Sequence, residues 1–163
     1  MNPMTLRILL FLLPVLAFLS PARAEPVQLK ALAIDQAYAR ATAPGQDVGV
    51  VYLTVENAGK SGDRLVSASS PAARQVTLHS TRMAQGMSSM HRQEAFDVPA
   101  GGTLQLHPDG LHLMLEGLKA PLHEGDRISL TLRFEKSGEV SVPVTVRGLD
   151  ASMDMGSMHH DMH

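Results

Sequence analysis

Four side chains carry the chemistry this sequence can do: His79, Met90, His112 and Met114, spaced His-x10-Met-x21-His-x-Met. A thioether sulfur is a soft, uncharged ligand that never has to lose a proton, and a neutral imidazole is borderline. Such a set suits Cu(I) and fails hard cations, which take carboxylate and carbonyl oxygen. Near these four stand further sulfur and imidazole side chains, Met83, Met87, His91 and His107, which read as candidate accessory ligands. A second collection closes the chain: Met153, Met155, Met158, His159, His160, Met162 and His163. Its imidazoles suit Cu(II) and its thioethers Cu(I), which predicts a second place of copper capture.

Taken singly, each residue has a plainer explanation. A lone histidine is more often a surface residue than a ligand, Met83, Met87 and Met90 read as exposed loop residues, and His112-x-Met114 as an ordinary outer face. The distribution argues against the plain readings. Without Met1 and Met4, eight methionines remain, and none lies in the strongly alternating strands where a gap-filling methionine would be scattered.

The elements that must position the four are short strands. Segments 48–57, 64–69, 74–80, 90–98, 103–107, 112–118, 128–135 and 140–147 are rich in β-branched and apolar residues and are divided by Gly, Pro and Asn. Residues 30–41 are Ala-rich, but Pro44 and Gly45 follow at once, so they read as an N-terminal strand. Alternation is sharpest where Ile128, Leu130, Leu132 and Phe134 oppose Ser129, Thr131, Arg133 and Glu135, and where Val140, Val142, Val144 and Val146 repeat the pattern. Many short strands with turns every 8 to 12 residues predict an all-β sandwich or barrel. Leu111, Leu113 and Leu115 take one face of their strand and leave His112, Met114 and Glu116 on the other. Val76 and Leu78 likewise leave Thr77 and His79 outward. A four-residue loop at 108–111 would set His107 opposite His112, as a residue that buffers or orients the site.

Composition bounds the rest. Residues 1–24 read as a secretory signal, with one early positive charge, an apolar run at 8–19 and a small-x-small end at Ala22-Arg23-Ala24. Cleavage there leaves 12 basic against 16 acidic residues, net −4 with histidine neutral, and only four aromatics. A mildly acidic surface without a basic stripe excludes nucleic acid as a partner. No cysteine is present, which excludes disulfides and thiolate sites such as blue copper. The expected new N-terminus, Glu25, is neither a lipid-bearing Cys nor the His a copper monooxygenase brace needs. The expectation is therefore an exported chain, periplasmic once the signal is cleaved, with no membrane anchor; a monomer is expected as well. Its sandwich domain spans 25–149. Residues 150–163, which lack Val, Ile, Phe and Leu, are expected to form a flexible tail.

The spacing of His79, Met90, His112 and Met114 resembles that of the PCu(A)C periplasmic copper chaperones. Pro99-Ala-Gly-Gly-Thr-Leu-Gln-Leu, His112-Leu-Met-Leu-Glu-Gly-Leu and Leu122-His-Glu-Gly-Asp are similar to that family too, over residues 33–147. The resemblance implies a cupredoxin-like Greek-key β-sandwich that binds one Cu(I) through these four residues and is not an enzyme. It also implies delivery of copper to the CuA centre of cytochrome c oxidase subunit II, alongside a Sco-type copper protein. A copper buffer or resistance protein without a dedicated acceptor would use the same site. A metal-free adhesion sandwich would leave the methionine placement unexplained.

Overall fold

The computed structural model describes residues 24–149. The expected signal sequence, apart from its last residue, and the Met/His-rich segment expected to be a tail, with its seven candidate ligands, lie outside the described residues. In chain order the strands are β1 (Val27–Leu29), β2 (Leu32–Arg40), β3 (Val48–Asn57), β4 (Asp63–Ser69), β5 (Ala73–Ala84) and β6 (Met87–Gln93). They continue with β7 (Phe96–Val98), β8 (Thr103–Gln105), β9 (Leu111–Leu118), β10 (Arg127–Phe134) and β11 (Gly138–Arg147). The described residues contain no α-helix, and none is long and apolar enough to cross a membrane.

The sheet closes on itself. Strands run in the order β2-β11-β10-β4-β5-β9-β3, and β3 returns to pair with β2. Among the described strands only β11 and β2 run parallel. Closure follows from the patterning: β10 and β11 each turn one apolar face inward, so Leu130, Leu132, Phe134, Val142, Val144 and Val146 are all buried. They meet Leu32, Ile34, Val51, Leu53, Val55, Leu65, Leu113 and Leu115 in one core. The strand expected near residues 30–41 exists, interrupted by a bulge at which Gln36 takes φ 54° and the pairing with β3 shifts between Asp35 and Tyr38.

Three expectations are corrected. The strand expected to end at residue 80 continues to Ala84, and the supposed loop carrying Met83 and Met87 is a β-ribbon. Beyond Ser80 its only partner among the described strands is β6, through a two-residue turn with Ala84 opposite Met87. Gln85 and Gly86 both have positive φ, 51° and 77°, as a type I′ hairpin turn requires. Next, the strand expected over 90–98 breaks at Glu94-Ala95, so that β6 pairs with β5 and β7 with β4.

The third correction concerns 103–118. The two strands there do not form a hairpin, and His107 is not opposite His112. Because β3 is ten residues long, one of its edges accommodates both neighbours end to end: β8 pairs at Thr54–Glu56 and β9 at Val48–Val51. The chain passes between them through a turn in which His107 N–H donates to the Leu111 carbonyl and Gly110 N–H to the His107 carbonyl, at 2.9 and 3.0 Å.

Candidate metal centre

Strand β5 is the spine of the site. It pairs with β9 on one edge from Ala73 to Ser80 and with β6 on the other from Leu78 to Ala84. Directly opposed residues in antiparallel strands present their side chains on the same face. The register therefore builds a ladder on one face: Thr77 opposite Met114, His79 opposite His112 and flanked on its other side by Arg92, then Thr81 opposite Met90. All four candidate ligands share that face, though 35 positions separate His79 from Met114 in the sequence. What unites them is that β5 is long enough to carry both partners.

The two imidazoles face each other with ring centroids 5.8 Å apart and planes 20° from parallel. His112 is 2% exposed and the His79 side chain 14%. This face, expected to be a polar outer surface, is thus buried at its centre; Thr77 is also only 2% exposed. Met114 is half-buried, and Met90 is 51% exposed. The site deepens from the methionine at its mouth to the imidazoles at its base.

Hydrogen bonds fix which nitrogen of each ring is free. The Thr77 hydroxyl donates to Glu116 Oε1 at 2.6 Å, so at its contact with His79 Nε2, 3.0 Å away, it accepts. His79 accordingly carries its proton on Nε2 and presents a bare lone pair at Nδ1. His112 Nδ1 lies 3.2 Å from the Gly110 carbonyl, which can only accept, so its bare lone pair is on Nε2. These two nitrogens, His79 Nδ1 and His112 Nε2, are buried and have no hydrogen-bond partner among the described residues. Leaving one such group unpaired costs about 1–3 kcal/mol. Both orphans are acceptors, which is what a metal ion needs of an imidazole.

The donor set decides which ion fits. No three His, Asp or Glu side chains gather among the described residues, so the pair has to be completed by another kind of donor. On this face the register offers the thioethers of Met90 and Met114. Two neutral imidazoles and two thioethers carry no charge and match a soft monovalent ion. The nearest anion among the described residues is Glu116, with Oε1 3.9 Å from His79 Nε2 and Oε2 held by Gln75 at 3.2 Å. Burial first, then the neighbouring His112 and Arg92, push the pKa of His79 below its ordinary value against the opposing pull of Glu116. The ring is kept neutral, its ligating form.

The accessory candidates are distributed more widely. Met83 lies opposite Ser88, one rung beyond Met90 on the site face. Met87 and His91 pair with Ala84 and Ser80, which puts both on the reverse of the ribbon, where His91 Nε2 meets Ser89 Oγ at 3.1 Å. His107 packs its ring on Gly110, where any Cβ would collide with it. It thereby braces the residue whose carbonyl orients His112, while remaining off the ladder. Sequence reasoning placed Thr77 and Glu116 on the correct face but gave them no role. The available signal was the alternation Thr77-x-His79 and Met114-x-Glu116, which puts a hydroxyl and a carboxylate beside the ligands.

With this geometry in hand, known proteins are informative. The family model described as "Putative lipoprotein LpqE-like" matches residues 32–146. "Putative lipoprotein Lxx21020" of Leifsonia xyli subsp. xyli is 39% identical over 127 residues, covering 76% of this chain and 76% of that protein. Among solved structures, the copper-bound PCuAC domain from PmoF2 superposes with TM-score 0.66 at 25% identity, covering 77% of this chain and 99% of that one. The Cu(I) form of DR1885 from Deinococcus radiodurans gives TM-score 0.58 at 31% identity, over 76% of this chain and 81% of that one. The barrel is thus the cupredoxin-like fold of PCuAC domains, and the chain belongs to the LpqE-like family of that group.

Proposed function

We propose that this chain is an exported, periplasmic Cu(I) metallochaperone that delivers its ion to the CuA centre of cytochrome c oxidase subunit II, alongside a Sco-type copper protein. One observation carries the reading: two facing imidazoles whose bare lone pairs are buried and have no partner among the described residues, on a face that also bears two methionines. The copper-bound relatives support it. His79, Met90, His112 and Met114 hold the ion, and Cu(I) is the cargo.

The chemistry is exchange of ligands, with no covalent bond of a substrate made or broken. None of the four donors has to lose a proton at neutral pH, and no thiolate holds the ion against a competitor. The graded exposure sets an order of release. Met90, half in water, is the donor an incoming ligand displaces first, while His112 is the last reached. The monomer suffices, because one barrel supplies all four donors.

Cu(I) titration against a competing chelator tests the site. Wild type should bind one tight equivalent, and His79→Ala and Met114→Ala should each weaken it by about 100-fold or more, above the 10- to 100-fold usual for residues that only support a ligand. Unchanged affinity in both variants would remove the site from the argument. Mixing loaded protein with an apo CuA domain then tests delivery; copper that stays put would leave a buffer.

A further inference from the structure

The ladder does not stop at Met90. On β5 the site face runs Thr77, His79, Thr81, Met83, and on β6 it runs Arg92, Met90, Ser88. Met83 is therefore the diagonal neighbour of Met90 across the ribbon, at a Cα separation of about 7–8 Å, with Cβ atoms closer. Two unbranched side chains with three rotatable bonds each can bring their sulfurs together over that span. Met87, also exposed, is on the reverse and cannot join them.

Three observations make this pair more than two surface methionines. First, Met83, Met87 and Met90 are 66, 70 and 51% exposed, and among the described residues only Leu149 is another large apolar side chain left so open. The barrel buries its other large apolar residues wholly or in part, so the ribbon holds thioethers in water at a cost in apolar exposure. Second, from Thr81 to Gln93 there is no Asp or Glu, while Arg82 and Arg92 are present. That composition repels hard cations and leaves thioether as the ribbon face's metal donor. Third, the imidazole nitrogens are buried, and on the ribbon side the ladder climbs from them through Met90 to the still more exposed Met83, so an ion leaving along the ribbon passes both sulfurs.

We propose that Met83 is a transfer ligand: with Met90 it forms an outer two-thioether station that a cuprous ion occupies on its way into or out of the inner site. The inference rests on the inner site holding Cu(I) as described above. Its own content is that Met83 governs the rate of exchange and Met90 contributes to both rate and affinity. Ligands are traded one at a time: a Met83 sulfur bond forms as an imidazole bond breaks, and the ion keeps its single charge and oxidation state throughout.

The test uses the full mature chain with ¹³C-labelled methionine methyl groups and silver ion as a redox-inert probe, each signal assigned by Met→Leu substitution. The first equivalent of Ag(I) should shift Met90 and Met114, and Met83 should broaden or shift before two equivalents are reached. Stopped-flow removal of Cu(I) by a chelator should be about three- to tenfold slower in Met83→Leu, with equilibrium affinity within about threefold of wild type. Leucine keeps the volume on an exposed strand, so folding is not at stake. A Met83 methyl that stays unmoved through two equivalents, together with an unchanged removal rate, overturns the proposal. If Met114 also fails to respond, the inner site itself is wrong, and the two failures are told apart in one titration.

Discussion

Two buried polar clusters of this barrel invite comparison. Asp63, 6% exposed, sits at the start of β4 and accepts from Arg64 N–H, Lys136 N–H, Ser137 N–H and the Ser137 hydroxyl, at 2.8, 2.9, 3.0 and 2.6 Å. Its carboxylate ties β4 to the turn between β10 and β11. Burial pushes its pKa up, but the Ser137 hydroxyl and the three backbone N–H groups outweigh that and hold it below the ordinary value. In the His79–His112 pair each ring satisfies one nitrogen and leaves the other bare, and both bare nitrogens are buried. Native interiors rarely leave buried polar groups unpaired. The satisfied cluster is a clasp, and the unsatisfied one is incomplete until something accepts its lone pairs.

This contrast can be broken by experiment. The largest separation should come from replacing the orphans with apolar groups: the double variant His79→Leu/His112→Leu should lose Cu(I) binding altogether. Its metal-free form should be as stable as wild type or more so, since exchanging unsatisfied groups for apolar ones is often neutral or favourable. Denaturant melts of the apo protein check this, and a loss beyond about 2 kcal/mol would show the pair to be a structural clasp after all.

Asp63→Ala should do the reverse. It strands four donors, so we expect about 2–4 kcal/mol lost from apo stability with Cu(I) affinity unchanged. The sign of the pH effect follows: with the folded pKa depressed, Asp63 stabilises above its unfolded value near ~3.9 and stops doing so as pH falls through the lower folded value. Urea midpoints measured from pH 5 down to 2 should converge between wild type and Asp63→Ala.

A smaller effect sharpens the account of ring orientation. Thr77→Val removes the group that keeps the His79 proton on Nε2, and Cu(I) affinity should drop about tenfold. Nitrogen NMR should show the proton divided between the two ring positions; an unaltered Nε2–H tautomer would mean that Thr77 is a bystander.

Smallest is the pH dependence of His79. Its folded pKa lies below the unfolded value near ~6.5, so the unfolded chain binds more protons in that window and apo stability declines as pH drops through it. The same shift keeps the ring ligating at a pH where a free imidazole has begun to protonate. An NMR titration of His79 with its midpoint at or above the usual histidine value would contradict this.

How much of this was legible beforehand depends on the kind of contact. The inward strands were readable because alternation has a period of two and the core needs one apolar face per strand, as Leu130, Leu132 and Phe134 show. The ribbon was not, because residues 82–90 (RMAQGMSSM) have no alternating apolar face. Its pairing comes from backbone bonds and from a Gln-Gly turn that only positive φ makes recognisable. The expected 103–118 hairpin failed for a different reason: local turn chemistry at Pro108-Asp109-Gly110 was genuine, but β3 competed for both strands and won.

By itself the sequence determined the class of ligand and the side of each strand on which it stands. Side-chain chemistry and the two-residue repeat are local properties, and no fold can change them. Tertiary structure alone decided that His79 meets His112 across β5 and β9, that one lone pair on each ring is left bare, and that Thr77 and Glu116 set the tautomer of His79. Those facts depend on cross-strand register and on burial, which arise only when distant segments pack together.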